Sequence, residues 1–138
     1  MKISKENIKS VIPQREPFIM IDNLVDASPT QFESNFQVSN ENIFLKNEIL
    51  QEPALIENIA QTCAAGFGFV ESQSEGKPRL GFIGAVSKLE VHSLPKVNSI
   101  INTYVAVTHQ LENIFLVKGE NFCNGQKLLE CEMKIVIN

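Results

Sequence analysis

The segment from Pro53 to about Ser74, PALIENIAQTCAAGFGFVESQS, constrains this chain more than any other. Pro53 suits the first turn of a helix, where its missing N–H costs nothing. The residues that follow are apolar or small nearly all the way round. A helix with no clear polar face has to be buried on most of its sides. At about 1.5 Å per residue it would cross a whole small domain. The rest of the chain must therefore supply its cover.

The flanking segments read mainly as strands. Residues 4–11 predict a short helix that Pro13 ends. Residues 18–26 read as a strand and Ser28-Pro29-Thr30 as a turn. Residues 31–38 alternate, with Phe32, Phe36 and Val38 on one face, so they pair with the first strand as a hairpin. Residues 40–52 carry no regular pattern. After the helix, residues 79–92 read as a strand bent or bulged at Gly81 and Gly84. Pro95 interrupts. Residues 99–109 place Ile101, Thr103, Val105 and Val107 on one face, and residues 113–123 form another strand. Asn124-Gly125 is a type I′ hairpin signal. Residues 127–137 then point Leu129, Cys131, Met133, Ile135 and Ile137 inward, with Glu130, Glu132 and Lys134 outward.

The order is two strands, one buried helix, then about four strands. The expected fold class is α+β: a long central helix wrapped by a curved, strongly twisted antiparallel sheet, which is the hotdog architecture. One such layer leaves edges uncovered, so a homodimer or higher oligomer is expected, with a heterodimer left open.

Bulk properties narrow the function. The chain has 138 residues, which suits one domain over 1–138. Its net charge of −4 argues against a nucleic-acid partner. An acidic partner stays open, because Lys2, Lys5, Lys9 and Arg15 make one basic stretch and Lys77, Arg79, Lys88 and Lys96 another. No apolar run approaches the roughly 20 residues that span a bilayer, and no apolar signal segment follows Met1. Cys63, Cys123 and Cys131 are odd in number and lack metal spacing, so they read as small apolar residues in a reducing compartment. A soluble, cytoplasmic protein with no metal and no cofactor is expected.

Three stretches carry a family resemblance. Residues 12–22, IPQREPFIMID, resemble the opening signature of the FabZ-type 3-hydroxyacyl-ACP dehydratases, Pro-His-Arg, any residue, Pro-Phe and an apolar run ending in Asp. Residues 55–61, LIENIAQ, resemble that family's helix motif, a Glu followed after three residues by Ala-Gln. Residues 78–95, PRLGFIGAVSKLEVHSLP, are closer to the dehydratases of aryl-polyene pigment clusters, which have Leu-Gly-Phe, a short strand and a His. The resemblance implies an acyl thioester as substrate, carried on acyl carrier protein or coenzyme A. Two departures stand out. The FabZ-type catalytic His, in a Gly-His-Phe-Pro loop fourteen residues before the Glu, is Ile43 here, although Phe44 survives. The His of the opening signature is Gln14.

Glu57 is the one family acid that carries over. Burying a lone carboxylate is costly unless it is paired or neutral. Dehydration needs a proton taken from C2 and one delivered to the departing 3-hydroxyl, and a carboxyl group can do either. The alternative is a solvated carboxylate placed at a helix start by the macrodipole. Gln61, four residues on, shares its face and would hold Glu57, bind the hydroxyl, or cap a buried carbonyl. Asn58 points elsewhere. The resemblance implies that helix-start N–H groups near Pro53 polarise the thioester carbonyl, although Pro53 itself has none to give and the family uses glycine there. His92 is a candidate proton-transfer partner, but alternation puts Leu89 and Val91 inward and His92 outward. His109 reads as structural. Gln14, with Arg15 and Phe18, would line the mouth of the site; Gln donates and accepts hydrogen bonds but is no acid or base.

The catalytic candidates are therefore Glu57 and His92, and the substrate-binding candidates Gln14, Phe18, Phe44, Pro53 and Gln61. Three functions fit: a 3-hydroxyacyl-ACP dehydratase of fatty-acid or aryl-polyene-like synthesis, an acyl-thioester hydrolase, or a non-catalytic acyl-binding hotdog subunit.

Overall fold

The computed structural model describes residues 1–73 and 81–138. Lys77, Arg79 and the start of the strand expected from residue 79 lie outside them. A 3-10 helix, Lys5–Ser10, opens the chain. Strands β1 (Asn23–Ala27) and β2 (Gln31–Gln37) form the expected hairpin. Two short strands, β3 (Leu45–Lys46) and β4 (Ile49–Leu50), precede helix α1 (Glu52–Ser72). Four strands follow: β5 (Gly81–Val91), β6 (Ile100–Leu111), β7 (Ile114–Cys123) and β8 (Gln126–Ile137). Six of the eight strands make one antiparallel sheet in the order β1-β2-β6-β7-β8-β5. The helix lies across it and touches β1, β2, β5, β6 and β7. No helix among the described residues is long and apolar enough to cross a membrane.

The alternation in the sequence is what buries the inner face. Phe32 and Phe36 of β2, Ile101 and Val105 of β6, and Cys131, Met133 and Ile135 of β8 pack with Leu55, Ile59 and Cys63 of α1 in one core. A smaller cluster on the other flank of the helix joins Ala65 to Ile8, Ile12, Ile21 and Leu24. Two glycines set the close approach of helix and sheet. A Cβ on Gly66 would stand 2.2 Å from the Phe32 ring, and one on Gly119 would stand 2.3 Å from Ile59 Cγ2. Neither position has room for a side chain.

Several local features differ from the sequence expectation. The strand expected from residue 18 begins at Asn23. The backbone of Met20 is bonded by the side chains of Gln61 and Asn58 and so does not join the sheet ladder. The β3–β4 hairpin was not foreseen, because its turn residues, Asn47 and Glu48, take positive φ (52° and 65°) without a glycine. Asn124 and Gly125 do the same, as their sequence signalled (52° and 77°).

Strand β5 departs most. Register shifts at Ile83/Ala85 and Ser87/Glu90 mark two bulges, the first at Gly84. All eleven residues are exposed, Leu89 and Val91 included, at 45% and 44%. The expected burial does not follow, because β5 is the outermost strand and, among the described residues, pairs only with β8 and has little lying over it. At the opposite margin, β1 is covered by the N-terminal segment: Ile3 N–H donates to Leu24 O at 3.1 Å and Leu24 N–H donates to Ile3 O at 2.9 Å.

Candidate functional site

One face of α1 borders a cavity of about 400 Å³. The stripe runs Glu57, Ala60, Ala64, Phe67 and Gly68, at the three- and four-residue steps that align side chains along a helix. Over those residues the helix rises about 16 Å. The segment Ser10–Gln14 forms one wall; Gly81–Ile83 of β5, with Ile135 and Ile137 of β8, forms the other. Small residues at 60, 64 and 68 keep the groove open. Phe67 is fixed between Phe32 and Phe115, with ring centroids 4.9 and 4.8 Å away.

Glu57 is the single carboxyl group on this lining among the described residues. It is half-buried, and its Oε2 accepts a hydrogen bond of 2.8 Å from Gln61 Nε2. Gln61 is itself fully buried and spends every polar group it has. Its Oε1 accepts from Met20 N–H at 2.6 Å, and its Nε2 also donates to Phe18 O at 2.9 Å. Of the roles open to Gln61, holding Glu57 and capping a buried carbonyl are therefore both present, and no donor remains for a ligand. Asn58 works beside it. Its Nδ2 donates to Met20 O at 2.7 Å, and its Oδ1 accepts from the Thr103 hydroxyl. Thr62 donates to Asn58 O at 2.7 Å and is bonded to Ser34 at 2.6 Å. This buried polar net pins the 18–20 segment to the helix and fixes where Glu57 stands.

The sequence candidates separate. Glu57 and Gln14 share the cavity, with Gln61 directly behind Glu57. Phe18 contributes its carbonyl, but its ring is 55% exposed and off the lining. Phe44 packs against the main core instead of the cavity. Pro53 sits exposed in the first turn of α1, away from the lining, so the structure does not bring the helix start to the cavity. His92 is likewise apart from Glu57. Its Nε2 lies 3.5 Å from Glu130 Oε2 and 3.8 Å from Glu90 Oε2, on the outer face of the sheet. The outward parity of the strand end holds, and the bulges do not reverse it.

That outer face has its own logic. Glu90, Glu130 and Glu120 stand directly opposite one another on β5, β8 and β7. Like charges so placed repel. Lys127 answers them, with Nζ 2.6 Å from Glu130 Oε2 and 2.7 Å from Glu120 Oε2. The Lys127 bond holds the Glu130 carboxyl below its usual range, and the two glutamates hold the Lys127 ammonium above its own. His92 thus belongs to a surface charge network.

Sequence reasoning did not find the cavity wall. The signal was present as Ala60, Ala64 and Gly68, small residues four apart on the stripe that starts at Glu57. Cys63 also borders the cavity, and burial pushes its thiol well above the usual value, with Cys131 adding to the effect. Both groups are neutral thiols at ordinary pH and act as packing groups.

A long helix packed against a six-stranded antiparallel sheet defines a hotdog-fold protein, and here the helix sets the Glu57 carboxyl over the cavity. The ApeP dehydratase model of the ApeP-like family matches residues 6–136, and the chain belongs to that family. The 3-hydroxyacyl-[acyl-carrier-protein] dehydratase FabZ of Oceanobacillus iheyensis is 25% identical over 138 residues, 96% of each chain. FabZ of Enterococcus faecalis is 25% identical over 144 residues, 99% of each. Among solved structures, the dehydratase heterocomplex ApeI:P of Xenorhabdus doucetiae matches with a TM-score of 0.87 at 17% identity, over 95% of this chain and 90% of that one. A hypothetical thioesterase of Streptococcus pneumoniae, solved with coenzyme A, matches with a TM-score of 0.70 at 8% identity, over 84% of each chain. These structural likenesses establish the shared fold.

Proposed function

We propose that the chain is a 3-hydroxyacyl-thioester dehydratase, with acyl carrier protein as the carrier, and that Glu57 moves the protons. The observation that carries this reading is the Glu57 carboxylate, held by Gln61 at 2.8 Å and facing a cavity lined mostly by apolar residues. Gln61 is a positioning residue in this scheme. The acyl tail lies along Ala60, Ala64 and Gly68, and the thioester end faces outward to its carrier.

One carboxyl group balances the reaction. The carboxylate takes the C2 proton. The C2–H electron pair becomes the C2=C3 bond, and the C3–O bond breaks. The proton held on Glu57 passes to the departing oxygen, which leaves as water, and the carboxylate is restored. Taking and returning one proton at adjacent carbons requires the carboxyl to lie over the same face of both.

The oligomer belongs to the same proposal. The ApeI:P heterocomplex supports a multi-chain assembly, and the edge position and exposed apolar residues of β5 support that strand as the place where a second hotdog chain adds. Phe82, Ile83, Val86, Leu89 and Val91 are the apolar residues it would cover.

The test is turnover of a 3-hydroxyacyl-ACP by the purified protein. Enoyl-ACP should form, and Glu57→Gln should reduce the rate by about 10²-fold or more, the scale of a positioned acid or base. Release of free thiol without enoyl product would favour the hydrolase reading, which the Glu57 carboxyl on the cavity and the thioesterase neighbour support. No reaction with any acyl thioester, together with retained acyl binding, would leave the non-catalytic subunit.

A further inference from the structure

Gln14 stands on the wall formed by residues 10–14, on the same cavity as Glu57. Its backbone oxygen is occupied, accepting from Arg15 Nη1 at 2.7 Å. Its side chain is in a different condition. Oε1 is sealed from water and accepts no hydrogen bond. Buried polar atoms in folded proteins nearly always have a partner, so an orphan acceptor at a cavity calls for a donor that arrives with a ligand. The other orphan, Asn121 Oδ1, is not on the cavity. The last torsion of a glutamine is soft, so the amide turns into the cavity without backbone movement.

The neighbouring groups restrict what that donor is. Glu57, as a carboxylate, only accepts, and one of its oxygens is already taken by Gln61. The Ser10 hydroxyl donates to Asn7 O at 2.7 Å and is committed there. A ligand group suited to both Gln14 and Glu57 must donate to an amide oxygen and still receive a proton. A hydroxyl does both. A saturated chain, a 3-keto group and an enoyl chain offer no donor at that carbon.

We propose that Gln14 selects the substrate: its Oε1 accepts the 3-hydroxyl of the acyl chain in the Glu57 cavity, so the site prefers 3-hydroxyacyl chains to saturated, 3-keto and enoyl ones. The proposal rests on the dehydratase reading of the cavity and deepens it. The hydroxyl keeps its bond to Gln14 while its oxygen turns a lone pair to the proton on Glu57. When the C3–O bond breaks, the water formed still donates to Gln14. The enoyl product has lost its hold on that residue and leaves more easily than the substrate.

Binding separates this idea from turnover. The probes are a 3-hydroxyacyl pantetheine amide and the saturated amide of the same chain length, neither of which reacts at the thioester position. Calorimetry on the full chain should show the hydroxylated amide bound about tenfold more tightly or better, the factor by which an unmade buried hydrogen bond weakens affinity. Gln14→Met keeps the bulk and removes the acceptor. It should narrow the preference to about twofold or less. In turnover assays it should act mainly through KM. The melting temperature should not fall, because the orphan oxygen is a burden to the free chain; a fall would mark Gln14 as merely structural and overturn the proposal. A wild type that binds both amides equally would overturn it too, as would a Gln14→Met variant that keeps the full preference. If the wild type prefers the hydroxylated amide yet makes no enoyl product, Gln14 stands as the recognition residue and the dehydratase reading alone falls.

Discussion

Replacing Gln61 with leucine tests how the site is held. The side chain is fully buried and makes three hydrogen bonds, to Met20 N–H, Phe18 O and Glu57 Oε2. Leucine is close in size, so little cavity is created. The largest loss is the Met20 N–H, stranded in a fully buried residue, at about 1–3 kcal/mol. The bonds to Phe18 O and Glu57 lie nearer the surface and add about 0.5–1.5 kcal/mol each at most, since water can replace them. The extra apolar burial of leucine returns about 1 kcal/mol. The net cost is about 1–5 kcal/mol, a large share of a stability on the order of 5–15 kcal/mol. Urea denaturation should show it directly, and the melting temperature should drop by about 3–18 °C. The Met20 amide should also exchange its hydrogen faster. Glu57→Gln is the control, because its amide oxygen still accepts from Gln61, and it should cost under about 1 kcal/mol. A Gln61→Leu protein within about 0.5 kcal/mol of wild type would refute the claim that this residue anchors the 18–20 segment.

Gly119→Ala should lose about 1–3 kcal/mol in the same urea assay, because its Cβ would stand 2.3 Å from Ile59 Cγ2; a neutral result would mean that the helix yields there. Ala64→Leu half-fills the groove about 10 Å along the helix from Glu57. It should weaken binding of long acyl chains by about tenfold while sparing short ones, as a chain-length series of acyl amides would read out. Burial raises the Cys63 thiol and pushes Cys131 up to about 11, so the folded state holds both protons above pH 9, where the unfolded chain gives them up. Stability is therefore fully present below about pH 9 and should fall as the pH rises toward 11, at up to about 1.4 kcal/mol per thiol per pH unit. Denaturation midpoints in a Cys63→Ala, Cys131→Ala protein should lose that slope.

Periodicity made most of the fold legible. The helix over 52–72, the inward faces of β2, β6 and β8, and the Asn124-Gly125 turn all follow from local pattern, since one face of each strand must meet the helix. Segments fixed by distant side chains were not legible. Residues 18–22 look like a strand, yet Gln61 and Asn58, some forty residues on, take up the Met20 backbone. Leu89 and Val91 alternate correctly but face no helix, because strand order, and with it the position of β5 at the edge, is a property of the whole sheet. At the site, the motif located Glu57 and the i, i+4 rule located Gln61. Gln14 could be placed near the mouth, but its unanswered oxygen shows only when all its neighbours are in place. Phe44 and Pro53 resembled site residues by sequence position alone, and the fold sends one to the core and the other to the surface.

The two margins of the sheet are unequal, and that sets a valence. Ile3 is bonded to Leu24 at the β1 margin, while β5 is a bulged strand that pairs only with β8 among the described residues. A sheet with two open margins can grow without limit, as fibres do. A sheet with one can accept a single neighbour, and the addition consumes the only vacancy on each side. Joining through the proposed β5 edge would then end at a pair. The Ile3 bridge lies over one residue of β1, so unpinning Ile3 would uncover that part of the margin and bring the two edges closer to equal.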